Sequence, residues 1–268
     1  LLAEKGFSRP GDILVGTDSH SCTSGAFACF GTGIGSTEML GVVVTGEIWF
    51  KVPSTQLIQW TGKLSKGVMA KDLILHTIGV VGHAGATYQA MEFVGDTIEA
   101  LPMDERICIS NMAVEAGAKV GLIPADEKTI SYLEAHGVAD AREAPLLRSD
   151  PDAEYAKRLT FDAAQLTPTV ACPHEVDNTC PVSLVAGTPV DQVYIGSCTG
   201  GRLSDLAAAA EVLKGRKVAP GCRLLVSPAS RLVWNEANQL GLLDTLSQAG
   251  ATILASTCGA CLGLHSGT

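Results

Sequence analysis

The 268-residue chain has no run of about 18 apolar residues, so the sequence predicts no membrane-spanning helix. Basic residues are few: 19 Lys and Arg stand against 28 Asp and Glu, which gives a net charge of −9. No basic stripe is present, so binding to nucleic acid or to an anionic membrane is not expected. Aromatic residues make up only 5% of the chain, whereas 46% is hydrophobic and 29 residues are glycine. That composition is typical of an α/β protein and argues against a disordered or fibrous chain.

The nine cysteines are an odd number, which does not favour a paired disulfide framework. Reduced thiols are therefore expected, and with them a cytoplasmic location. No initiating Met stands at Leu1, and Thr268 follows shortly after a Gly-rich turn. We therefore expect a fragment of a longer chain, with room for one large domain or two to three smaller ones.

Three of the cysteines lie in two Gly-rich turns, and each turn follows a β-rich run. Cys198 comes after 192–195, and the pair Cys258 and Cys261 comes after 252–254. The ends of parallel strands share one edge of a sheet, so these three thiolates can converge. A structural zinc site needs four ligands and a dithiol redox site two. Three thiolates suit a [4Fe-4S] cluster in which one iron stays open, although four cysteines are the commoner number.

Two polar residues follow the first predicted strand, at 11–16. Asp18 and His20 can both face a cleft there, and together they suit proton transfer. The alternative, which this motif alone favours, is that Asp18 caps the next segment and His20 is an ordinary buried histidine. The glycines at 31–35 have the spacing GxGxG, which indicates close packing of a turn rather than a dinucleotide site.

A second polar pair lies in the segment 111–118. If a helix begins at Asn111, Glu115 lies one turn later on the same face. An amide and a carboxylate presented together can hold a substrate or orient a histidine. The alternative is a helix-capping Asn with a surface Glu, and the small Ala and Gly neighbours favour the site over the cap.

Three features indicate the organisation of the chain. The residues 57–67 predict a hairpin, and the charged stretch 144–162 predicts an inter-domain connection. From Val190 onward, strands and helices alternate, which predicts a parallel sheet. We therefore expect domains at 1–53, 54–162 and 163–268. The proline-rich segment with Cys172 and Cys180 matches no standard metal-ligand spacing, so these two thiols are left out of the predicted site.

Four motifs, taken together, resemble the aconitase superfamily. They are TDSH at 17–20, NMAVEAGA at 111–118, IGSCTGGR at 195–202 and TCGACLG at 257–263. The resemblance covers essentially the whole chain and is strongest to the large subunits of 3-isopropylmalate dehydratases and homoaconitases. It implies an α/β fold with the three-domain α/β/α architecture of that superfamily around an iron–sulfur cluster.

The resemblance also implies roles for particular residues. These are the [4Fe-4S] ligands Cys198, Cys258 and Cys261, the catalytic residues Asp18, His20 and Glu115, with Glu115 orienting His20, and the substrate-binding residues Ser19 and Asn111. One position departs from the family pattern, because Gly200 stands where the turn after the first cluster cysteine usually has Asn. A side chain able to bond near the cluster is therefore missing.

The family's catalytic serine belongs to a swivel domain, which in this branch is a separate small subunit. The resemblance therefore implies a heterodimer with that subunit, and this chain alone is expected to be inactive. The expected reaction is the dehydration and rehydration of a hydroxy dicarboxylate, converting 2-isopropylmalate to 3-isopropylmalate in leucine biosynthesis. Homoaconitase, aconitase and 2,3-dimethylmalate dehydratase are the alternative activities.

Two alternatives are not enzymes. One is an RNA-binding regulator without a cluster, against which the net charge of −9 argues. The other is a structural zinc protein in which His265 joins the three cysteines, since His265 lies four residues after Cys261.

Overall fold

The computed structural model describes residues 2–264, whose contacts divide the chain into two compact units. The first unit ends at Ala186 and the second begins at Gly187. Both contain parallel β-strands and α-helices, which confirms the predicted α/β fold class. Within the described residues, no helix is both long and apolar enough to cross a membrane.

The first unit contains two parallel sheets and one short antiparallel pair. Its strands are β1 (Ile13–Gly16), β2 (Phe30–Gly33), β3 (Thr55–Thr61), β4 (Ala90–Val94), β5 (Val120–Leu122), β6 (Lys157–Asp162), β7 (Thr169–Ala171) and β8 (Thr179–Pro181). Its α-helices are α1 (Ser36–Thr45), α2 (Ala70–Val81), α3 (Asp96–Ala100), α4 (Met103–Met112) and α5 (Glu127–Ala135). β1 pairs with β2, the order of the larger sheet is β5-β4-β3-β6, and β7 pairs antiparallel with β8.

The main core of this unit brings the larger sheet together with α2 and α4. Every second side chain of β3 is buried, so Ile58 and Trp60 share the core face of the strand. Leu73 of α2 and Ile109 of α4 belong to the same buried cluster. This packing fixes the C-terminal end of α4, which carries part of the candidate site.

The predicted hairpin at 57–67 is wrong. β3 pairs in parallel with β4 on one side and with β6 on the other, and the turn at Gly62 leads toward α2. The sequence between Thr55 and Gly67 contains a strand and a turn, as predicted. The partner strands, however, come from later parts of the chain, which the local pattern does not reveal.

The predicted connection at 144–162 is wrong in its second half, because residues Lys157–Asp162 form strand β6. This strand lies at the edge of its sheet, paired with β3 alone, and its charged side chains face solvent. Charges are common on edge strands because they discourage pairing with another molecule. The charge pattern that suggested a linker is therefore explained by an exposed edge.

The segment 163–186 groups with the first unit. Asp72, in the first turn of α2, accepts a hydrogen bond from the Met69 backbone N at 2.7 Å and another from the Thr169 backbone N at 2.6 Å. Each of the predicted ranges 1–53, 54–162 and 163–268 contains one of the three parallel sheets. The division into three domains stays a prediction.

The second unit is a three-stranded parallel sheet with helices, as the alternating pattern after Val190 predicts. Its strands are β9 (Gln192–Gly196), β10 (Arg223–Ser227) and β11 (Ala251–Ile253), in the order β11-β10-β9. Its helices are α6 (Ser197–Gly200), α7 (Leu203–Leu213), α8 (Arg231–Gln239) and α9 (Leu242–Ala249). Leu206, Val226 and Leu246 are among the residues of its own buried core.

Candidate active site and cysteine turns

The turn after β1 is held in place by Asp18 and by the glycines of β2. The Asp18 carboxylate accepts a hydrogen bond from the His20 backbone N at 2.8 Å and caps a 3-10 helix at Ser19–Phe27. A Cβ on Gly33 would lie 2.9 Å from the Asp18 carbonyl oxygen, so only glycine allows this approach of turn and strand. Asp18 is therefore a helix cap, as the alternative interpretation had it, and it also lies beside the His20 ring.

His20 lies between two carboxylates. Its Nε2 is 3.5 Å from Glu115 Oε1, and its Nδ1 is 3.7 Å from Asp18 Oδ1 and 3.2 Å from the Ser19 hydroxyl. The hydrogen bond to Glu115 raises the pKa of His20, burial partly opposes that rise, and the charges of Glu115 and Asp18 add to it. The site therefore favours a protonated imidazole, which is able to act as an acid.

Asn111 and Glu115 do not lie at the start of a helix, as the sequence suggested. Asn111 is in the last turn of α4, and Glu115 is in a separate 3-10 helix at Ala113–Ala116. The helix changes type between them, and Glu115 reaches the His20 ring whereas Asn111 is buried. The helix was misplaced because its N-terminal half, 103–106, is largely polar and lacks an apolar stripe.

Asn111 reaches His20 through Thr23. The Asn111 side-chain amide donates to the Thr23 hydroxyl at 2.7 Å, and that hydroxyl donates to the His20 carbonyl oxygen at 2.6 Å. Asn111 has no exposed surface, and the Cys22 thiol donates to its backbone carbonyl at 3.3 Å. In this structure Asn111 therefore positions the His20 turn, and its contact with substrate stays a prediction. Sequence reasoning missed Thr23, although its spacing of three residues from His20 suits a side-chain bond to that carbonyl.

An open cleft of about 400 Å³ lies beside this cluster. Ser19, next to His20, and Val114, next to Glu115, are both on its wall. Tyr88 and Lys119 form another part of the wall, and sequence reasoning missed both of them. His20 itself is not on the wall; the cleft is connected to its ring through Ser19, whose hydroxyl is 3.2 Å from Nδ1, and it has room for a small organic acid.

The first cysteine turn begins at the C-terminal end of β9, in the second unit. Ser197, which precedes Cys198, has a φ of 65°, a left-handed conformation that is uncommon for a residue other than glycine. Gly196 and Gly201 lie against the backbone of Ser227 in β10, at points where a Cβ would come within 2.6 Å of its carbonyl oxygen. These close approaches explain the glycines of the motif. They place Cys198 just beyond the C-terminal end of β9.

The second cysteine turn is hydrogen-bonded to two hydroxyl groups, one on β9 and one on β10. The Tyr194 hydroxyl of β9 donates to the Thr257 carbonyl at 3.0 Å and to the Cys258 carbonyl at 3.2 Å. The Ser227 hydroxyl donates to the Ala255 carbonyl at 2.8 Å. The turn after β11 therefore reaches past β10 to the end of β9, although β10 separates the two strands in the sheet.

All three predicted cluster cysteines contribute to the raised pKa of the Tyr194 hydroxyl. Burial is the main reason why the pKa of Tyr194 is raised; a hydrogen bond with Ser227 lowers it, and negative charge at Cys261, Cys258 and Cys198 raises it further. Each of the three thiols is thus close enough to Tyr194 to affect its pKa. Cys258 and Cys261 are exposed, and Cys198 is half-buried.

Residues 2–264 contain no group of three His, Cys, Asp or Glu side chains arranged to hold a single metal ion. A single zinc ion requires its ligands to meet at one atom, whereas a cubane cluster binds each thiolate through a different iron. Three thiols that do not meet at a single metal position among the described residues suit the second arrangement better than the first. His265, the fourth ligand of the zinc alternative, lies outside the described residues.

Residues 1–268 match the model of the aconitase family (aconitate hydratase). The 3-isopropylmalate dehydratase large subunit of Nitratidesulfovibrio vulgaris is 52% identical over 267 residues, which cover 100% of this chain and 63% of that protein. The probable methanogen homoaconitase large subunit of Methanosarcina mazei is 50% identical over 267 residues, which cover 67% of its length.

The crystal structure of Thermococcus kodakaraensis aconitase X in its holo-form superposes with a TM-score of 0.55 at 15% identity. It covers 93% of this chain and 58% of the aconitase X chain, and it shows a shared fold. The chain thus spans about three fifths of the length of the dehydratase and of aconitase X. Because the family match extends over residues 1–268, the chain belongs to the aconitase family.

Proposed function

We propose that this chain is part of the large subunit of an iron–sulfur hydro-lyase that isomerises a hydroxy dicarboxylate, most simply 2-isopropylmalate to 3-isopropylmalate. The observation that carries the proposal is the His20–Glu115 pair, which Thr23 and Asn111 position through hydrogen bonds and which lies next to the cleft residue Ser19. The names of relatives about 50% identical support the reaction and the substrate.

Dehydration breaks the C–O bond of the hydroxyl-bearing carbon and a C–H bond on its neighbour, forms a C=C bond and releases one water. Rehydration adds the hydroxyl to the neighbouring carbon, so atoms and electrons balance with no net oxidation. The proton that leaves carbon goes to a base, which the family resemblance assigns to a serine of the small subunit. The departing hydroxide needs a proton from an acid.

His20 is suited to give that proton. Glu115 holds the Nε2 side of the ring, and the Nδ1 side faces Ser19, which lines the cleft. A protonated imidazole held in this way donates from Nδ1, and in the reverse step the neutral ring accepts a proton from water. Asp18 Oδ1 lies 3.7 Å from Nδ1 and adds to the rise in the pKa of His20, and we assign Ser19 to binding the substrate.

Cys198, Cys258 and Cys261 are the residues that would hold a [4Fe-4S] cluster. When bound, such a cluster supplies a Lewis acid at the iron that has no thiolate. The chain's contribution is the placement of the thiols, through the Tyr194 and Ser227 hydroxyls and the glycines of the first turn.

The partner we propose is a small swivel-domain subunit, forming a heterodimer, because the relatives are named large subunits. We also propose a cytoplasmic location, which suits reduced thiols and a biosynthetic reaction. Homoaconitase is the second candidate activity, and the observation that favours it is the match to the Methanosarcina mazei relative.

The test extends the chain to the length of its relatives, adds the small subunit and follows the unsaturated intermediate by ultraviolet absorbance. We expect signal from 2- or 3-isopropylmalate and little from homocitrate or 2,3-dimethylmalate. Signal from homocitrate alone would assign the homoaconitase activity instead. Absence of signal with all these acids, at full iron content, would refute the hydro-lyase proposal.

A further inference from the structure

Lys119 brings a positive charge to the cleft beside His20. The hydroxyl-bearing residues Thr17, Ser19, Thr32 and Thr87 are also on its wall, and of these the Thr87 hydroxyl already donates to the Ala84 carbonyl at 2.7 Å. Among the described residues that line this cleft, Lys119 is the sole one with a permanently charged cationic side chain. A cation surrounded by hydroxyl donors is the chemistry that binds a carboxylate.

No carboxylate of residues 2–264 forms an ion pair with Lys119. Its ammonium instead lies over the Tyr88 ring, with Nζ 4.8 Å from the ring centroid. A cation–π contact orients an ammonium without neutralising it. The charge of Lys119 is therefore held in place and remains available to an anion.

The backbone around Tyr88 gives independent support. Tyr88 has a φ of 56°, which is uncommon for a bulky residue and costs backbone energy. Gly117, with a φ of 82°, packs against Thr87, and the Lys119 backbone N donates to the Gln89 carbonyl at 2.8 Å. The two segments that carry Tyr88 and Lys119 are thus held together by this hydrogen bond and this packing contact. In its left-handed conformation, Tyr88 presents its ring to the Lys119 ammonium.

We propose that Lys119 binds one carboxylate of the hydroxy dicarboxylate, with Tyr88 as the residue that positions its ammonium. The inference rests on the proposed function, because it concerns the acid that His20 would act on. A dianion that approaches the His20 ring also approaches the Asp18 and Glu115 carboxylates on its two sides, and Lys119 supplies a positive charge that offsets this repulsion. The remaining carboxylate and the hydroxyl of the substrate are left for other groups.

A first experiment measures binding to the 268-residue chain directly. Malate is the hydroxy dicarboxylate probe and lactate is its monocarboxylate counterpart, with ¹⁵N–¹H shifts of Thr87 and Gly117 as the readout. We expect malate to bind more tightly than lactate. Lys119→Met should raise the Kd of malate about 10- to 100-fold, since one charge-assisted hydrogen bond is lost, and Lys119→Arg should recover most of it.

Lys66→Met is the matched control, because it removes an exposed lysine from a turn outside the cleft. It should leave the Kd unchanged. Equal effects of Lys66→Met and Lys119→Met would show that only overall charge matters and would overturn the inference. An unchanged Kd in a folded Lys119→Met chain, or no shift with malate in the wild type, would overturn it as well.

A second experiment separates this inference from the proposed function. In the full-length large subunit with its small subunit, Lys119→Met should raise KM at least tenfold with a much smaller change in kcat. Unchanged KM and kcat would refute the role of Lys119 and leave the hydro-lyase standing. Lys119-dependent binding of malate without turnover of any of the acids would instead support the carboxylate site and refute the hydro-lyase.

Discussion

The two units hold their chemically important side chains in different ways. In the first, His20, Glu115 and Asn111 are fixed by direct contacts among side chains and backbone, and Asn111 is fully buried. In the second, hydroxyl groups bond the backbone of the cysteine turn, and the Cys258 and Cys261 side chains are exposed. The acid–base geometry is thus set by the chain itself, whereas the thiols are presented for a ligand to join. Variants that separate iron content from proton transfer test this contrast.

The largest effect is expected on iron. Anaerobic reconstitution should load about four irons per chain, and Cys258→Ala, Cys261→Ala or Cys198→Ala should each abolish that loading. Iron and sulfide analysis together with visible absorbance provide the measurement. Cys222→Ala, in the same unit, is the matched control and should load normally. Zinc binding in place of iron would contradict this assignment.

The next effect concerns proton transfer. In the full-length enzyme with its small subunit, His20→Asn should lower kcat about 10²- to 10⁴-fold, because the acid for the departing hydroxide is lost. Its iron content should stay equal to that of the wild type. The exposed His174 supplies a control, since His174→Asn should retain activity. A fall in iron with His20→Asn would show that the two sites are not separable as described.

The pH dependence gives a third test. Glu115 raises the pKa of His20, so Glu115→Gln should lower that pKa toward the ordinary value of 6.5, as followed by NMR of the ring protons. The alkaline limb of the activity profile should then move to lower pH.

In the wild type, the raised pKa of His20 stabilises the fold fully below the unfolded-state pKa, and this contribution is lost as pH rises through the folded-state pKa. Glu115→Gln should weaken that part of the stability profile, and an unchanged pKa would rule out the pairing.

A smaller effect, on stability, is expected from the hydrogen bonds of Thr23 that position His20. Thr23→Val removes the hydroxyl that links Asn111 to the His20 carbonyl, which should cost about 1–3 kcal/mol of unfolding free energy because buried polar groups lose a partner. Thermal or urea denaturation measures this cost. Thr23→Ser keeps the hydroxyl and should recover most of the stability. A loss in Thr23→Ser with none in Thr23→Val would indicate packing of the methyl group as the cause and contradict the role of the hydroxyl.

The smallest effect is expected at Tyr194. Tyr194→Phe removes hydrogen bonds to the Thr257 and Cys258 carbonyls, at a cost of about 0.5–1.5 kcal/mol. Loaded iron should be released somewhat faster in air, as followed by the loss of visible absorbance. Unchanged release would show that the thiols hold the turn without help from the tyrosine.

Regular periodicity predicted the alternating strands and helices of the second unit. It failed where structure depends on distant residues, as in the parallel pairing of β3. The resemblance to a family connected His20 with Glu115, and the structure places them 3.5 Å apart. Thr23, Tyr88 and Lys119 were missed because a threonine, a tyrosine and a lysine have no motif of their own. Their importance comes from neighbours that only the folded chain brings to them.

The two hydrogen bonds of Asp72 bear on how this protein can be divided. The same carboxylate caps the first turn of α2 and accepts a hydrogen bond from Thr169. The helix and the segment beyond residue 162 therefore depend on one side chain. A protein engineered to end at residue 162 would leave one oxygen of that carboxylate without its partner and uncover the side of α2 that β7 and β8 adjoin. Swapping modules between members of the family is therefore best done at the junction of Ala186 and Gly187, where the cut passes between the units rather than through one.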